Sequence, residues 1–148
     1  MPSLTEFRSS NAPRKGNGRE AKRILVVNDD VALAEMLKWL LEQHGYECLV
    51  ATNTDWAMAI VTTLNVDLII QDIKRPGKDG WTFHRLLKSD PSLINIPIVI
   101  LSAAPRQSQE YMAEQLNEIA DYLQAPCDFD EVLESVRTCL ALADDSTD

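Results

Sequence analysis

A chain of 148 residues, 45% of them apolar, carries enough hydrophobic material for one core of ordinary domain size. Its net charge of −9 is unevenly placed, +4 over residues 1–23 and −13 over residues 24–148, so the bulk of the protein repels nucleic acid and membrane surfaces. No apolar run reaches bilayer length, residues 1–22 hold no signal-like hydrophobic stretch, and Cys48, Cys127 and Cys139 have neither metal-ligand spacing nor an even count. With His44 and His84 the only histidines, these features leave little material for a histidine metal site or a Ser-His triad, and they predict a cytoplasmic protein with reduced structural thiols.

Residues 1–21, with Ser9, Ser10, Asn11, Pro13, Gly16, Asn17 and Gly18 among basic side chains, read as a disordered basic extension. Residues 22–142 then alternate five apolar runs with five helical patterns, the signature of a parallel sheet covered on both faces. A strand is expected over 23–28, ending in Asn28-Asp29-Asp30. A helix follows, with Leu33, Met36, Leu37, Leu40 and Leu41 on its apolar stripe and a stop near Gly45. A strand over 47–51 precedes a second helix that buries Ala57, Ile60, Val61 and Leu64 behind the capping candidates Asn53 and Thr54.

The third strand, 67–71, leads into Asp72 and the loop Ile73-Lys74-Arg75-Pro76-Gly77-Lys78-Asp79-Gly80. The third helix then shows Phe83, Leu86 and Leu87 before the stop at Ser89-Asp90-Pro91. A strand over 97–101 runs up to Ser102. The fourth predicted helix has a weak stripe, Tyr111, Met112, Gln115 and Leu116, of the kind that suits an element meeting a partner. A strand over 120–124 ends before Ala125-Pro126. The last helix opens with Asp128 and Glu131 at capping-box spacing and buries Val132, Leu133, Val136 and Leu140; residues 143–148 form an acidic tail.

Two carboxylates at the ends of apolar strands, Asp29 and Asp72, are the chemical centre of this pattern, because open α/β sheets keep their sites at the carboxyl ends of the strands. Such an acidic pocket suits a hard divalent cation. Taken in order, Asn28-Asp29-Asp30, Asp72, the strand Ile96 to Ala103 with Ser102, and Asp121-Tyr122-Leu123-Gln124-Ala125-Pro126 resemble the receiver domain of two-component response regulators over about residues 22–142. The resemblance implies a doubly wound, flavodoxin-like α/β fold with five parallel strands in the order 2-1-3-4-5.

It also implies a mechanism. Asp72 is the expected phosphoacceptor, served by a histidine kinase or phosphotransfer protein, with Mg²⁺ held by Asp29, Asp72 and the main-chain carbonyl of Lys74 and with Asn28 acting through water. Ser102 and Tyr122 are the expected switch residues, reporting a new charge of about −1.5 to −2. The face made by the fourth predicted helix, the fifth strand and the last helix is the expected docking surface for a downstream protein. Neither DNA nor membrane binding is expected, and no enzymatic activity beyond self-phosphorylation and dephosphorylation at Asp72.

Two positions depart from the family pattern: Asn28 replaces the first acid of the pair, and Ala125 replaces the lysine of Tyr-x-x-Lys-Pro. The first lowers the expected metal affinity without abolishing it. The second removes an ammonium, although Pro126 is expected to keep the loop turn through a cis bond. The alternative reading is therefore a phosphorylation-independent pseudo-receiver acting as a binding module. A third, a hydrolase like the haloacid-dehalogenase phosphatases, is weakened because its nucleophilic aspartate would fall on Asn28.

Overall fold

The computed structural model describes residues 21–73, 81–104 and 118–145. Lys74, the Asp79-Gly80 dipeptide, the fourth predicted helix, residues 1–20 and residues 146–148 lie outside the described residues. Five strands, β1 (Arg23–Val27), β2 (Glu47–Ala51), β3 (Leu68–Asp72), β4 (Ile98–Ser102) and β5 (Asp121–Gln124), form one sheet. Four helices, α1 (Val31–Gln43), α2 (Thr54–Thr63), α3 (Thr82–Lys88) and α4 (Phe129–Asp145), complete the described elements. All strand pairs are parallel, in the order β2-β1-β3-β4-β5. This is the doubly wound architecture that the alternation of apolar runs predicts.

The near-continuous apolar strands follow from burial on both faces. Side-chain alternation splits the core in two. Leu25, Val27, Ile69, Ile98 and Ile100 pack with Ala57 and Val61 of α2 and with Phe83 and Leu87 of α3. On the other face, Ile24, Val26, Leu68, Ile70 and Val99 meet Leu37 and Leu41 of α1 and Val132, Val136 and Leu140 of α4.

Helix ends are set locally. The Asp30 carboxylate accepts from Leu33 N–H (3.1 Å) to start α1, and Asn53 Oδ1 accepts from Trp56 N–H (2.8 Å) to start α2. Gly45, at φ 91°, turns the chain out of α1 in the left-handed region that favours glycine. The Asp128 carbonyl accepts from the N–H of Glu131 (3.0 Å) and Val132 (3.4 Å) at the head of α4.

Some expected faces are turned. Met36 is 52% exposed, and Ala34 takes its place in the buried stripe of α1. In α3, Leu86 is 40% exposed while His84 is completely buried: the two flank the face centred on Phe83 and Leu87 at equal angles, and it is the His84 side that packs, edge-on to Trp81. The strands β3 and β4 each begin and end one residue later than the apolar runs predict, so Asp72 and Ser102 are strand residues, held by the pairings Asp72↔Leu101 and Ser102↔Gln124.

At the end of the sheet opposite the carboxylates, Arg23 and Glu47 form a buried ion pair. The Arg23 guanidinium also donates to the Asn65 carbonyl (2.9 Å), and the Arg23 amide donates to Asp67 (2.7 Å). The starts of β1, β2 and β3 are thereby tied together.

Candidate functional site

The carboxyl ends of two neighbouring interior strands converge. Register aligns Val27 of β1 with Gln71 of β3, so Asn28 and Asp72 leave the sheet at the same level. Asn28 is 3% exposed, its N–H donates to Ala51 O (3.0 Å), and its Oδ1 accepts from Asp30 N–H (2.9 Å). That side-chain bond shapes the loop that presents Asp29. Asp29 is exposed and Asp72 half-buried, two carboxylates with access to water at the mouth of the sheet. The donors suit Mg²⁺, which prefers oxygen ligands and keeps part of its water shell. Among the described residues no group of three or more His, Cys, Asp or Glu side chains gathers to hold a metal, here or elsewhere.

Ser102, fully buried at the end of β4, donates its hydroxyl hydrogen to the Ile73 carbonyl and accepts from Ala104 N–H (3.1 Å). Tyr122 is half-buried on β5, and its hydroxyl donates to the Ala104 carbonyl (2.6 Å). The two expected switch residues therefore grip Ala104 by its own N–H and C=O. Sequence reasoning passed over Ala104, which has no chemistry of its own and matters only through its backbone.

The Ala125–Pro126 bond is cis, as the sequence pattern predicts. Ala125 N–H donates to Ser102 O (2.7 Å), and the Ala125 side chain packs against the apolar cluster beneath α1 and α4. The position of the missing lysine is filled by a methyl group. Gln71 was also passed over: it is 4% exposed, one residue before Asp72, and its Oε1 has no hydrogen-bond partner. Trp81, which follows the Asp79-Gly80 dipeptide in the sequence, is fully buried, its ring edge-on to His84 at 5.3 Å.

The sequence profile of the response regulator receiver domain matches residues 24–137, more than three quarters of the chain. This chain belongs to the response regulator receiver domain family. The receiver domain is 34% identical over 119 residues to the phosphate regulon transcriptional regulatory protein PhoB of Pseudomonas aeruginosa, covering 80% of this chain and 52% of that protein. It is 29% identical over 119 residues to Protein PilH of the same organism, covering 80% of this chain and 98% of PilH. The chain thus spans about half the length of PhoB and nearly all of PilH. Among solved structures, the response regulator TrrA of Thermotoga maritima, in complex with Mg²⁺-BeF, superposes with a TM-score of 0.66 at 30% identity, covering 80% of this chain and 98% of that chain.

The thiols of the receiver domain are all free. Burial pushes the Cys48 thiol up to about 12, with Glu42 adding to the effect. Burial likewise raises Cys127 and Cys139. A raised thiol is a poor nucleophile and a poor metal ligand, so the cysteines belong to the packing and not to the site. Among the described residues no helix is long and apolar enough to cross a membrane.

Proposed function

We propose that this receiver domain accepts a phosphoryl group on Asp72 from a histidine kinase or phosphotransfer protein and passes the signal on by protein docking. The observation that carries this reading is the position of Asp72, half-buried at the carboxyl end of central strand β3, level with the Asn28-Asp29 loop of β1 and paired with the strand that ends in Ser102. A carboxylate oxygen of Asp72 attacks phosphorus in line, the bond from phosphorus to the donor's imidazole nitrogen breaks, and an acyl phosphate forms.

Asp29, Asp72 and the main-chain carbonyl of Lys74 would hold Mg²⁺, with Asn28 acting through water. The cation supplies positive charge for the phosphoryl oxygens. The Mg²⁺-BeF complex of the related TrrA supports this assignment. The chain's own part is to orient the acceptor and to read the product. Turning the Ser102 hydroxyl from the Ile73 carbonyl to a phosphoryl oxygen takes the acceptor away from Ala104 N–H, and Tyr122 is bonded to the other end of that residue. The added charge is then felt on the side of the sheet formed by β5 and α4, the proposed docking face.

A second reading, the phosphorylation-independent binding module, is favoured by Ala125. A charge-assisted hydrogen bond from a lysine is worth roughly 1.5–3 kcal/mol, against about 5.5 kcal/mol for a complete switch from 1:99 to 99:1. Without it the modification has less leverage. Incubation with Mg²⁺ and acetyl phosphate, followed by intact mass measurement, separates the two. The phosphoacceptor reading expects the mass of one phosphoryl group, gained by the wild type and not by Asp72→Asn; no gain in either protein favours the binding module.

A further inference from the structure

We propose that the open edge of β2, with the flanks of α1 and α2, is a pairing surface for a second copy of this chain. The edge is the floor of a trough of about 670 Å³ whose walls are Val31, Glu35 and Lys38 of α1 and Trp56 and Ile60 of α2. Val31 is 55% exposed and Trp56 49%. Aromatic and apolar side chains around a desolvated centre, with few charges, have the composition of an interface core.

The floor is a strand with its backbone turned outward. Glu47 N–H donates to Lys22 O (2.9 Å) and Ala51 O accepts from Asn28 N–H (3.0 Å). In a parallel ladder alternate residues address the same neighbour, so Glu47, Leu49 and Ala51 face β1 while Cys48 and Val50, with Thr52 beyond them, direct their N–H and C=O groups to the open side. Natural edges are usually blunted by proline, a bulge or an outward lysine. This one has none of them: its pairing to β1 is regular, and its one charged residue, Glu47, is turned inward to Arg23. The opposite edge strand, β5, is a four-residue segment carrying Asp121.

Self-complementarity identifies the occupant. A two-fold axis normal to the sheet at Val50 pairs Val50 with its own copy and Cys48 with Thr52 of the other chain, all through outward backbone groups. The same axis sets the two α1 helices side by side and antiparallel. Glu35 and Lys38, a turn apart on the wall of the trough, then meet Lys38 and Glu35 of the second copy, giving two opposite-charge pairs from one sequence. A foreign strand would need its own matching charges. This chain already carries them.

Sedimentation equilibrium of the full chain over a concentration series, at an ionic strength of about 0.15 M where long-range repulsion is screened beyond roughly 8 Å, tests the proposal. A monomer–dimer equilibrium is expected. Glu35→Lys sets lysine against Lys38 twice per dimer and should weaken association at least about tenfold, as should Lys38→Glu in the opposite sense. The double variant Glu35→Lys/Lys38→Glu should recover dimerisation, and circular dichroism of each variant confirms folding, so a lost helix is not mistaken for a lost interface. A monomer at every concentration overturns the proposal, whether the trough then proves to hold residues 1–20 of the chain itself or a foreign peptide. A dimer indifferent to both single charge reversals overturns it equally, because its interface lies elsewhere.

Discussion

His84 is a buried imidazole with no hydrogen-bond partner on either ring nitrogen. The Glu118 carboxylate lies 3.9 Å from Nε2, yet burial first, then the positive charges of Lys88 and Arg85, push the imidazole down to about 4. The contact is therefore not an ion pair at neutral pH. A histidine neutral in the fold and titrating near 6.5 when unfolded leaves stability intact above pH 6.5 and removes it as pH falls toward 4, because the unfolded state binds the proton first. The loss approaches about 3 kcal/mol, since each tenfold difference in proton affinity between the two states is worth roughly 1.4 kcal/mol. Urea unfolding of wild type and His84→Leu at pH 6.5 and pH 4 measures it: the wild type should lose that much more than the variant, and equal losses would show that His84 is already protonated in the fold. At neutral pH the variant should be no less stable, since an apolar side chain leaves no polar atom unsatisfied there.

Among the elements, the three strand origins tied by Arg23 and Glu47 make the most exacting arrangement. Breaking a buried pair leaves an uncompensated charge, so Glu47→Ala should cost about 3–5 kcal/mol, whereas replacing both residues together, Arg23→Met with Glu47→Leu, should cost much less. Chemical denaturation of the single and double variants gives the comparison; an equal cost for both would mean that the hydrogen bond from the Arg23 guanidinium to the Asn65 carbonyl dominates over charge pairing. Nothing in the linear sequence marks this pair, since Arg23 and Glu47 meet only once β1 and β2 are in register. What was legible was what is local or periodic: the five strands, the cap at Asn53, the stop at Gly45 and the carboxylates at the strand ends. Where burial depends on the neighbouring element, the pattern misled. Met36 and Leu86 were expected inside and are exposed, while Trp81 and His84 are buried against each other. At the candidate site, Asp29, Asp72, Ser102 and Tyr122 were expectations of the sequence, but the Ala104 backbone that links the last two carries no residue-type signal.

At the scale of the whole molecule, the strand order places β1 and β3 side by side in the interior of the sheet, each with a hydrogen-bonded strand on both sides and helices over both faces. Opening β1 or β3 means separating two ladders, whereas the edge strands β2 and β5 have one each. Native-state hydrogen exchange should therefore find the slowest amides in Ile24–Val27 and Ile69–Gln71, joined by β4, which also carries two ladders, with protection near the global unfolding free energy, and faster exchange in β5. Equal protection in β5 would show that its outer edge is covered. Asn28 and Asp72 close these two interior strands, so the acidic mouth is anchored in the most cooperative part of the molecule. Partial opening at the periphery leaves the carboxylates in place, and the fluctuation that would separate them is the one that unfolds the domain.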